Sequence, residues 1–116
     1  NILNGPPDKN ISAICKKHDI KLIAYNVLAH GLLTGKYNEN SIFPDNDRRS
    51  RLPLFKGINF RHAIDKVEVL KVKAAENNIS LAQYVINWTL MHENISSVIL
   101  GIKNSKQIED NFCAIS

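Results

Sequence analysis

The sequence predicts an α/β protein with parallel strands, and two observations carry this prediction. Two short runs of mostly apolar residues, 21–28 and 97–100, lack the alternation of a half-exposed strand and suit strands buried on both faces. Segments with helical periodicity lie before, between and after these runs. The resulting order of helix, strand, two helices, strand and helix is typical of parallel strands joined by helical connections.

The first two helices are indicated by apolar residues at helical spacing. Asp8 follows a Pro-Pro pair and is suited to begin a helix that continues to about residue 18. Residues 60–76 carry an apolar stripe that ends at Asn77, so they form the second predicted helix. A long polar stretch over residues 37–59 separates this helix from the first predicted strand, and loops of that length are usually functional or disordered.

The last two helices are indicated by their start signals. Ser80 and Gln83 have the spacing of a capping box, and the helix that follows runs to about residue 92. Asn104 or Ser105 caps the final helix, which we expect over residues 106–114.

Two strands that are buried on both faces need neighbouring strands and cannot form a complete sheet alone. The sequence also opens without an initiator Met. We therefore expect residues 1–116 to be one partial domain, incomplete at both ends, of a larger α/β barrel or doubly wound sheet.

Charge and composition narrow the class of ligand. The net charge is +4, yet the basic residues alternate with acidic ones except at Arg48, Arg49 and Arg51. This scatter favours an anionic small molecule over nucleic acid as the partner. There is no apolar run of the roughly 20 residues that a membrane span needs. The two cysteines form no CxxC pair, the four histidines lack metal-ligand spacing, and we expect a cytoplasmic location.

Two segments that follow the predicted strands resemble a known family. Residues 24–37 read AYNVLAHGLLTGKY, and residues 98–111 read VILGIKNSKQIEDN. The first is similar to the segment after barrel strand seven of aldo-keto reductases, which typically reads Y-S/G-P-L-A-x-G-L-L-T-G-K. The second is similar to the segment after strand eight, which reads V-I-P-G-A-x-x-x-x-Q-L-x-E-N. Residues 80–88 resemble the intervening S-x-A-Q-L-A-L-A-W helix, and residues 1–4 resemble the tail of strand six.

The resemblance implies that the chain is the C-terminal part of a (β/α)8 TIM barrel, about strands seven and eight with their flanking helices. It also implies an NADP(H)-dependent oxidoreductase that reduces aldehydes or ketones to alcohols, with a small-molecule carbonyl substrate. Barrels of this type commonly bind phosphate at the loops after strands seven and eight, which is where both segments lie.

The resemblance assigns the first loop to the cofactor pyrophosphate, over which it places Asn26, Leu28, Ala29 and Gly31. Lys36 and Arg49 are candidate phosphate ligands, with Arg51 as the alternative register for the arginine of the family's D-W-R stretch. An ordinary strand-to-helix turn with solvated charges would also account for these residues. Val27 replaces the family's proline, and His30 stands where an Arg or Cys is common.

The resemblance assigns the second loop to the adenosine end of the cofactor, beginning at Gly101. Lys103 corresponds to the position that meets the 2′-phosphate and therefore favours NADP over NAD. Gln107, Asp110 and Asn111 match the Q-x-x-E-N positions that hold the adenine, although Asp110 is one methylene shorter than the usual Glu. A polar helix face would give the same spacing.

The family's catalytic Tyr, Lys, Asp and His lie on earlier strands, so the resemblance assigns no catalytic residue within residues 1–116. Two alternatives to a reductase therefore stay open. One is a regulatory, non-catalytic NADPH-binding relative of the potassium-channel β-subunit type. The other is an inactive, truncated remnant.

Overall fold

The computed structural model describes residues 1–113, in which the predicted α/β order is confirmed. The helices and strands are α1 (Lys9–Lys17), β1 (Leu22–Ala24), α2 (Gly57–Glu76), α3 (Leu81–Leu90), β2 (Ile95–Val98) and α4 (Ser105–Phe112). Three short 3-10 segments, Ala29–Thr34, Arg48–Arg51 and Pro53–Phe55, lie between β1 and α2. The last residue predicted for the final helix, Ala114, lies outside the described residues.

The two strands pair in parallel, with Leu22 opposite Ile95 and Ala24 opposite Val98. Both occupy only part of the region that the apolar runs predicted. β1 stops at Ala24 because the chain turns at Asn26, whose φ of 51° is incompatible with an extended strand. β2 lies two residues earlier than the run over 97–100, since its pairing begins at Ile95.

The prediction that both strands are buried on both faces is wrong for the part of the chain described. Ile23 is 59% exposed and Ile99 is 60% exposed, and Ser96 and Ser97 are exposed as well. Among the helices within residues 1–113, α3 packs most extensively on β2.

The core forms where the segment after β1 meets α2 and α3. The fully buried side chains there include those of Leu32, Leu33, Val67, Val85 and Ile86. Burying an aliphatic side chain of this size contributes about 1.5–3 kcal/mol. Because Leu32 and Leu33 follow Gly31 directly, this burial anchors the loop that was assigned to the pyrophosphate.

The predicted helix caps are present. The Asp8 carboxylate accepts the N–H groups of Asn10 and Ile11, and Ser80 and Gln83 form the reciprocal capping box of α3. Asn104, rather than Ser105, is the cap of α4. Residues 1–4, which resemble the tail of strand six, form a turn in which the N–H of residue 4 donates to the carbonyl of residue 1 at 2.9 Å.

We expect Leu33→Ala to lower the free energy of unfolding by about 2–5 kcal/mol, because it removes methyl groups from a fully buried position. The matched control is Ile42→Ala, since Ile42 is 89% exposed and its truncation should change stability by less than about 0.5 kcal/mol. Urea denaturation followed by circular dichroism measures both. Equal losses for the two variants would contradict the placement of Leu33 in the core.

Candidate functional site

The predicted site residues lie in two loops that leave the sheet at the same edge. Parallel strands have their carboxyl ends at one edge, so the loop after β1 and the loop after β2 start side by side. The first loop carries the predicted pyrophosphate residues, and the second leads into α4 with the predicted adenosine residues. This edge is where open and closed α/β sheets bind their ligands.

The turn after β1 is built from left-handed backbone conformations. Positive φ angles occur at four of its positions, Asn26 (51°), Ala29 (48°), His30 (56°) and Gly31 (89°). Asn and Gly adopt this region readily, whereas Ala29 does so at a cost of roughly 1–2 kcal/mol. Since Ala29 is fully buried, packing in the core offsets this strain and holds the turn.

Three N–H groups of the turn are already used within it. Ala29 donates to the Asn26 carbonyl at 3.1 Å, and Gly31 donates to the Leu28 carbonyl at 3.0 Å. His30 donates to the side-chain oxygen of Asn26 at 3.0 Å. In this state Asn26, Leu28, Ala29 and Gly31 therefore shape the loop, and the donors of Ala29 and Gly31 are not directed at a ligand.

Arg49 is held by a carboxylate and two aromatic rings. Its Nε lies 3.0 Å from Asp47 Oδ1 and its Nη2 lies 2.6 Å from Asp47 Oδ2, which is a bidentate ion pair. Its Nη1 donates to the Tyr37 hydroxyl, and its guanidinium carbon lies 5.2 Å from the Tyr37 ring centre and 4.8 Å from that of Phe43. Arginine forms such planar pairs and ring contacts well, so the side chain has one defined orientation.

The ion pair controls the protonation of Asp47. Hydrogen bonds from the Arg49 side chain and backbone, together with the smaller effects of the Arg49 and Lys103 charges, lower the pKa of the Asp47 carboxyl from its usual 3.8 to about 2. Burial opposes these effects. Asp47 is therefore ionised at any pH near neutrality.

Gly31 brings Lys36 and Arg49 together. A Cβ atom added at Gly31 would lie 3.8 Å from Arg49 Nη1 and 3.9 Å from Lys36 Cε, so both cations flank the turn. The Lys36 ammonium also lies 5.1 Å from the centre of the Tyr37 ring. The structure thus places two of the predicted residues, Lys36 and Arg49, beside a third, Gly31. Arg51, the alternative to Arg49, is exposed and forms no ion pair within residues 1–113.

The second loop closes on the start of α4. The Lys103 N–H donates to Gln107 Oε1 at 2.7 Å, and the Gln107 N–H donates to Asn104 Oδ1 at 3.0 Å. The Gln107 amide NH2 is the part of that side chain left to face a ligand. A Cβ atom added at Gly101 would meet nothing within 4 Å among the described residues, so space remains beside this backbone.

The two residues at the end of the predicted adenine set have different surroundings. Asp110 is exposed, and its backbone carbonyl accepts the Gln83 side-chain amide at 2.7 Å. Asn111 is only 8% exposed. A single exposed polar helix face would therefore not describe these residues, since Asn111 faces the protein.

Three cations at the two loops remain without an acidic partner in the part of the chain described. Lys36, Arg48 and Lys103 are exposed and none of them forms an ion pair there, whereas Arg49 is neutralised by Asp47. A cluster of unpaired cations at one sheet edge raises the local positive potential. Such an edge is suited to bind a phosphorylated ligand.

Other site types find less support in the described residues. Their His, Cys, Asp and Glu side chains form no cluster of three that would hold a metal ion. No helix among them has the length and apolar character that crossing a membrane requires. A groove of about 380 Å³ between the first residues and α2 is lined by Leu3, Leu54 and His62 among others, and it contains none of the predicted site residues.

Sequence reasoning missed the residues that orient Arg49, which are Asp47, Tyr37 and Phe43. One signal was available for Asp47, because an Asp two residues before the arginine favours a turn in which its carboxylate accepts the arginine N–H. That hydrogen bond is present at 2.9 Å. The two aromatic rings had no such local signal.

We expect the Asp47 carboxyl to titrate near pH 2 and to return toward 3.8 in Arg49→Gln, because the variant removes the guanidinium that stabilises the carboxylate. Because the folded-state pKa is lowered, ionised Asp47 stabilises the fold above about pH 4. This stabilisation is lost as the pH falls from about 4 to about 2. Carboxyl-carbon NMR measures the titration. Arg51→Gln is the matched control, and an equal shift in that variant would show that Arg49 has no specific role.

The comparisons with known proteins agree with these motifs. The Aldo/keto reductase family matches residues 1–116. A probable voltage-gated potassium channel subunit beta from Arabidopsis thaliana is 39% identical over 102 residues, which cover 84% of this chain and 30% of that protein. An NADP(+) aldo-keto reductase, yakc, from Schizosaccharomyces pombe is 30% identical over 94% of this chain and 32% of its own length.

A solved structure supports the fold. The glycerol dehydrogenase of Gluconobacter oxydans superposes with a TM-score of 0.70 at 22% identity, over 93% of this chain and 38% of that one. The chain spans about a third of the length of the curated relatives that it matches. The family generally uses NAD(P)H, and its fold is an α/β barrel. By its sequence match over residues 1–116, this chain belongs to the aldo/keto reductase family.

Proposed function

We propose that this chain supplies the phosphate- and adenosine-binding loops of an NADP(H)-dependent oxidoreductase that reduces aldehydes or ketones to alcohols. The observation that carries the proposal is the set of cations at the carboxyl ends of β1 and β2. Lys36, Arg48 and Lys103 have no acidic partner within the described residues. Lys36 lies beside the turn at Gly31, which its own hydrogen bonds shape, and Lys103 lies in the loop after β2. We assign β1 and β2 to strands seven and eight of the family barrel, respectively.

The two loops divide the phosphates of the cofactor between them. The turn at Gly31, with Lys36 and Arg49 beside it, suits the pyrophosphate. Two N–H groups of Arg49 are not used by Asp47 or Tyr37, and they can donate hydrogen bonds to an anion. Lys103 lies before the N-terminus of α4, where the helix dipole adds to its charge. The 2′-phosphate of NADP is the group that this end would hold.

The adenine end is formed by α4. The free amide of Gln107 and the exposed carboxylate of Asp110 lie one turn apart on that helix and offer a donor and an acceptor to the base. Asn111 is buried, so we expect it to hold α4 in place rather than to extend toward the adenine. Gly101 leaves open space through which the cofactor can approach the backbone.

The bound cofactor would supply the hydride, while residues of this chain bind and orient it. Protonation of the carbonyl oxygen requires a positioned acid, and residues 1–116 are assigned none. We therefore propose that the segment alone binds cofactor without catalysing reduction, and that the substrate is a small cytoplasmic carbonyl compound.

A second candidate function is supported by the 39% identity to the potassium channel subunit beta of Arabidopsis thaliana. In a regulatory relative the same loops would hold NADPH without rapid turnover. Oxidation of NADPH after addition of short aldehydes to the intact protein separates the two functions. Aldehyde-dependent loss of absorbance at 340 nm supports the reductase, and tight binding without such loss supports the regulatory role.

We expect Lys103→Ala to weaken NADP+ binding by about tenfold and to leave NAD+ binding nearly unchanged, because Lys103 meets only the 2′-phosphate in this arrangement. Lys106→Ala is the matched control, since Lys106 is an equally exposed lysine within α4. Isothermal titration calorimetry of the intact protein measures the four affinities. If Lys103→Ala weakens both nucleotides equally, the assignment of the 2′-phosphate to this loop is wrong.

A further inference from the structure

His30 is the titratable side chain at the centre of the proposed pyrophosphate loop. It lies between Ala29 and Gly31 in the left-handed turn and is partly buried. Its ring is 6.3 Å from that of Phe55 in an edge-to-face arrangement, and its Nε2 lies 3.3 Å from Asn26 Nδ2. The proposed function assigns this side chain no role.

The Asn26 amide fixes the protonation state of His30. Asn26 Oδ1 accepts the His30 backbone N–H at 3.0 Å, so the amide NH2 must be the group that faces the ring. An NH2 donor requires an acceptor, and Nε2 accepts a hydrogen bond only when it carries no proton. In this state the imidazole is therefore neutral, with its proton on Nδ1.

The charged groups around the ring are cations. Desolvation lowers the pKa of His30 below its usual 6.5, and the positive charges of Arg48 and Arg49 lower it further. Lys36 lies beside the neighbouring Gly31. The carboxylate of Asp47 is held in the ion pair with Arg49. An anion placed among these groups would reverse the sign of the field at the ring.

We propose that binding of a nucleotide pyrophosphate to this loop is coupled to the uptake of one proton by His30, with Asn26 as the group that responds. The inference rests on the proposed function. The proton comes from solvent, and no covalent bond changes. When Nε2 carries a proton, it and the Asn26 NH2 are both hydrogen-bond donors and cannot bond to each other. The amide must then rotate, or the ring must move away.

Rotation of the amide has a second effect. It withdraws Oδ1 from the His30 backbone N–H, and that N–H becomes available to a phosphate oxygen. One protonation event thus adds a cation to the loop and releases a backbone donor. The internal hydrogen bonds of the turn and its proposed anion-binding role are then two states of the same residues.

The sign of the pH dependence follows from the two states. The pKa of His30 is lowered in the free protein and is raised when the anion is bound. Affinity therefore increases as the pH falls through the interval between the bound-state and free-state pKa values, and is constant outside it. The limiting increase is about tenfold for each unit that separates the two values.

The direct test is an NMR titration of the His30 ring protons in the intact protein, free and saturated with NADP+. We expect the titration midpoint to rise by about one unit or more on binding. The ring signals of His62, which lies on α2 outside the proposed loops, are the internal reference and should be the same with and without NADP+. An unchanged His30 midpoint with NADP+ bound would overturn the inference and leave the proposed function standing.

Variants separate His30 from other sources of protons. Calorimetry of NADP+ binding in two buffers of different ionisation enthalpy gives the number of protons taken up. The 2′-phosphate itself titrates near pH 6, so the contribution of His30 is the difference between the wild type and His30→Asn. Asn tolerates the left-handed backbone at this position, and His62→Asn is the matched control. We expect reduced uptake in His30→Asn only, and equal uptake in all three proteins would overturn the inference.

Asn26→Asp tests the amide directly. The carboxylate still accepts the His30 backbone N–H but favours the protonated ring, so His30 should already carry its proton in the free protein near neutral pH. We expect uptake to fall at pH 7 and the rise in affinity to move to higher pH. An uptake identical to the wild type would exclude Asn26 as the responding group. Failure of the wild type to bind NADP+ at any pH would refute the proposed function and this inference together.

Discussion

The parallel pairing of β1 with β2 is the constraint on which the rest of the site depends. The Leu22 N–H donates to the Asn94 carbonyl at 2.7 Å, and the Ile99 N–H donates to the Ala24 carbonyl at 2.8 Å. Because the paired strands run in the same direction, the chain leaves the sheet twice at one edge. The loop after β1 and the loop after β2 therefore start side by side. An antiparallel pair would send the two loops to opposite edges.

Within that edge, orientation and charge are provided by different residues. Arg49 is the arginine that the family resemblance selects, yet Asp47 balances its charge and Tyr37 occupies a further N–H. Its remaining donors are held in place, which lowers the entropy lost when a ligand binds. The positive potential comes instead from Lys36, Arg48 and Lys103, which have no acidic partner in the described part of the chain. In the proposed function, Arg49 would therefore orient an anion, and the exposed cations would attract it.

The sequence predicted those features that depend on neighbours along the chain. The caps at Asp8 and Ser80 follow from local hydrogen bonding, and the glycine-containing turn follows from its motif. It did not predict that Ile23 and Ile99 would be exposed, because burial depends on which elements are present to cover a face. The rings of Tyr37 and Phe43 meet Arg49 through the folding of a long loop, which no periodicity encodes. The direction of Asn111 likewise depends on how α4 packs on α3.

The chemistry of the site is that of anion binding rather than acid catalysis. The carboxyl of Asp47 has a pKa of about 2 and is bound to Arg49, so it has no proton to donate near neutral pH. The pKa of His30 is lowered by desolvation and by the charges of Arg48 and Arg49, and its Nε2 faces the Asn26 amide. A reductase and a regulatory NADPH-binding subunit make the same demand on such a segment, because both must hold the phosphates before anything else follows. Under the proposed function, residues of this chain would therefore select among nucleotides, and the groups that meet the nicotinamide would decide between catalysis and regulation.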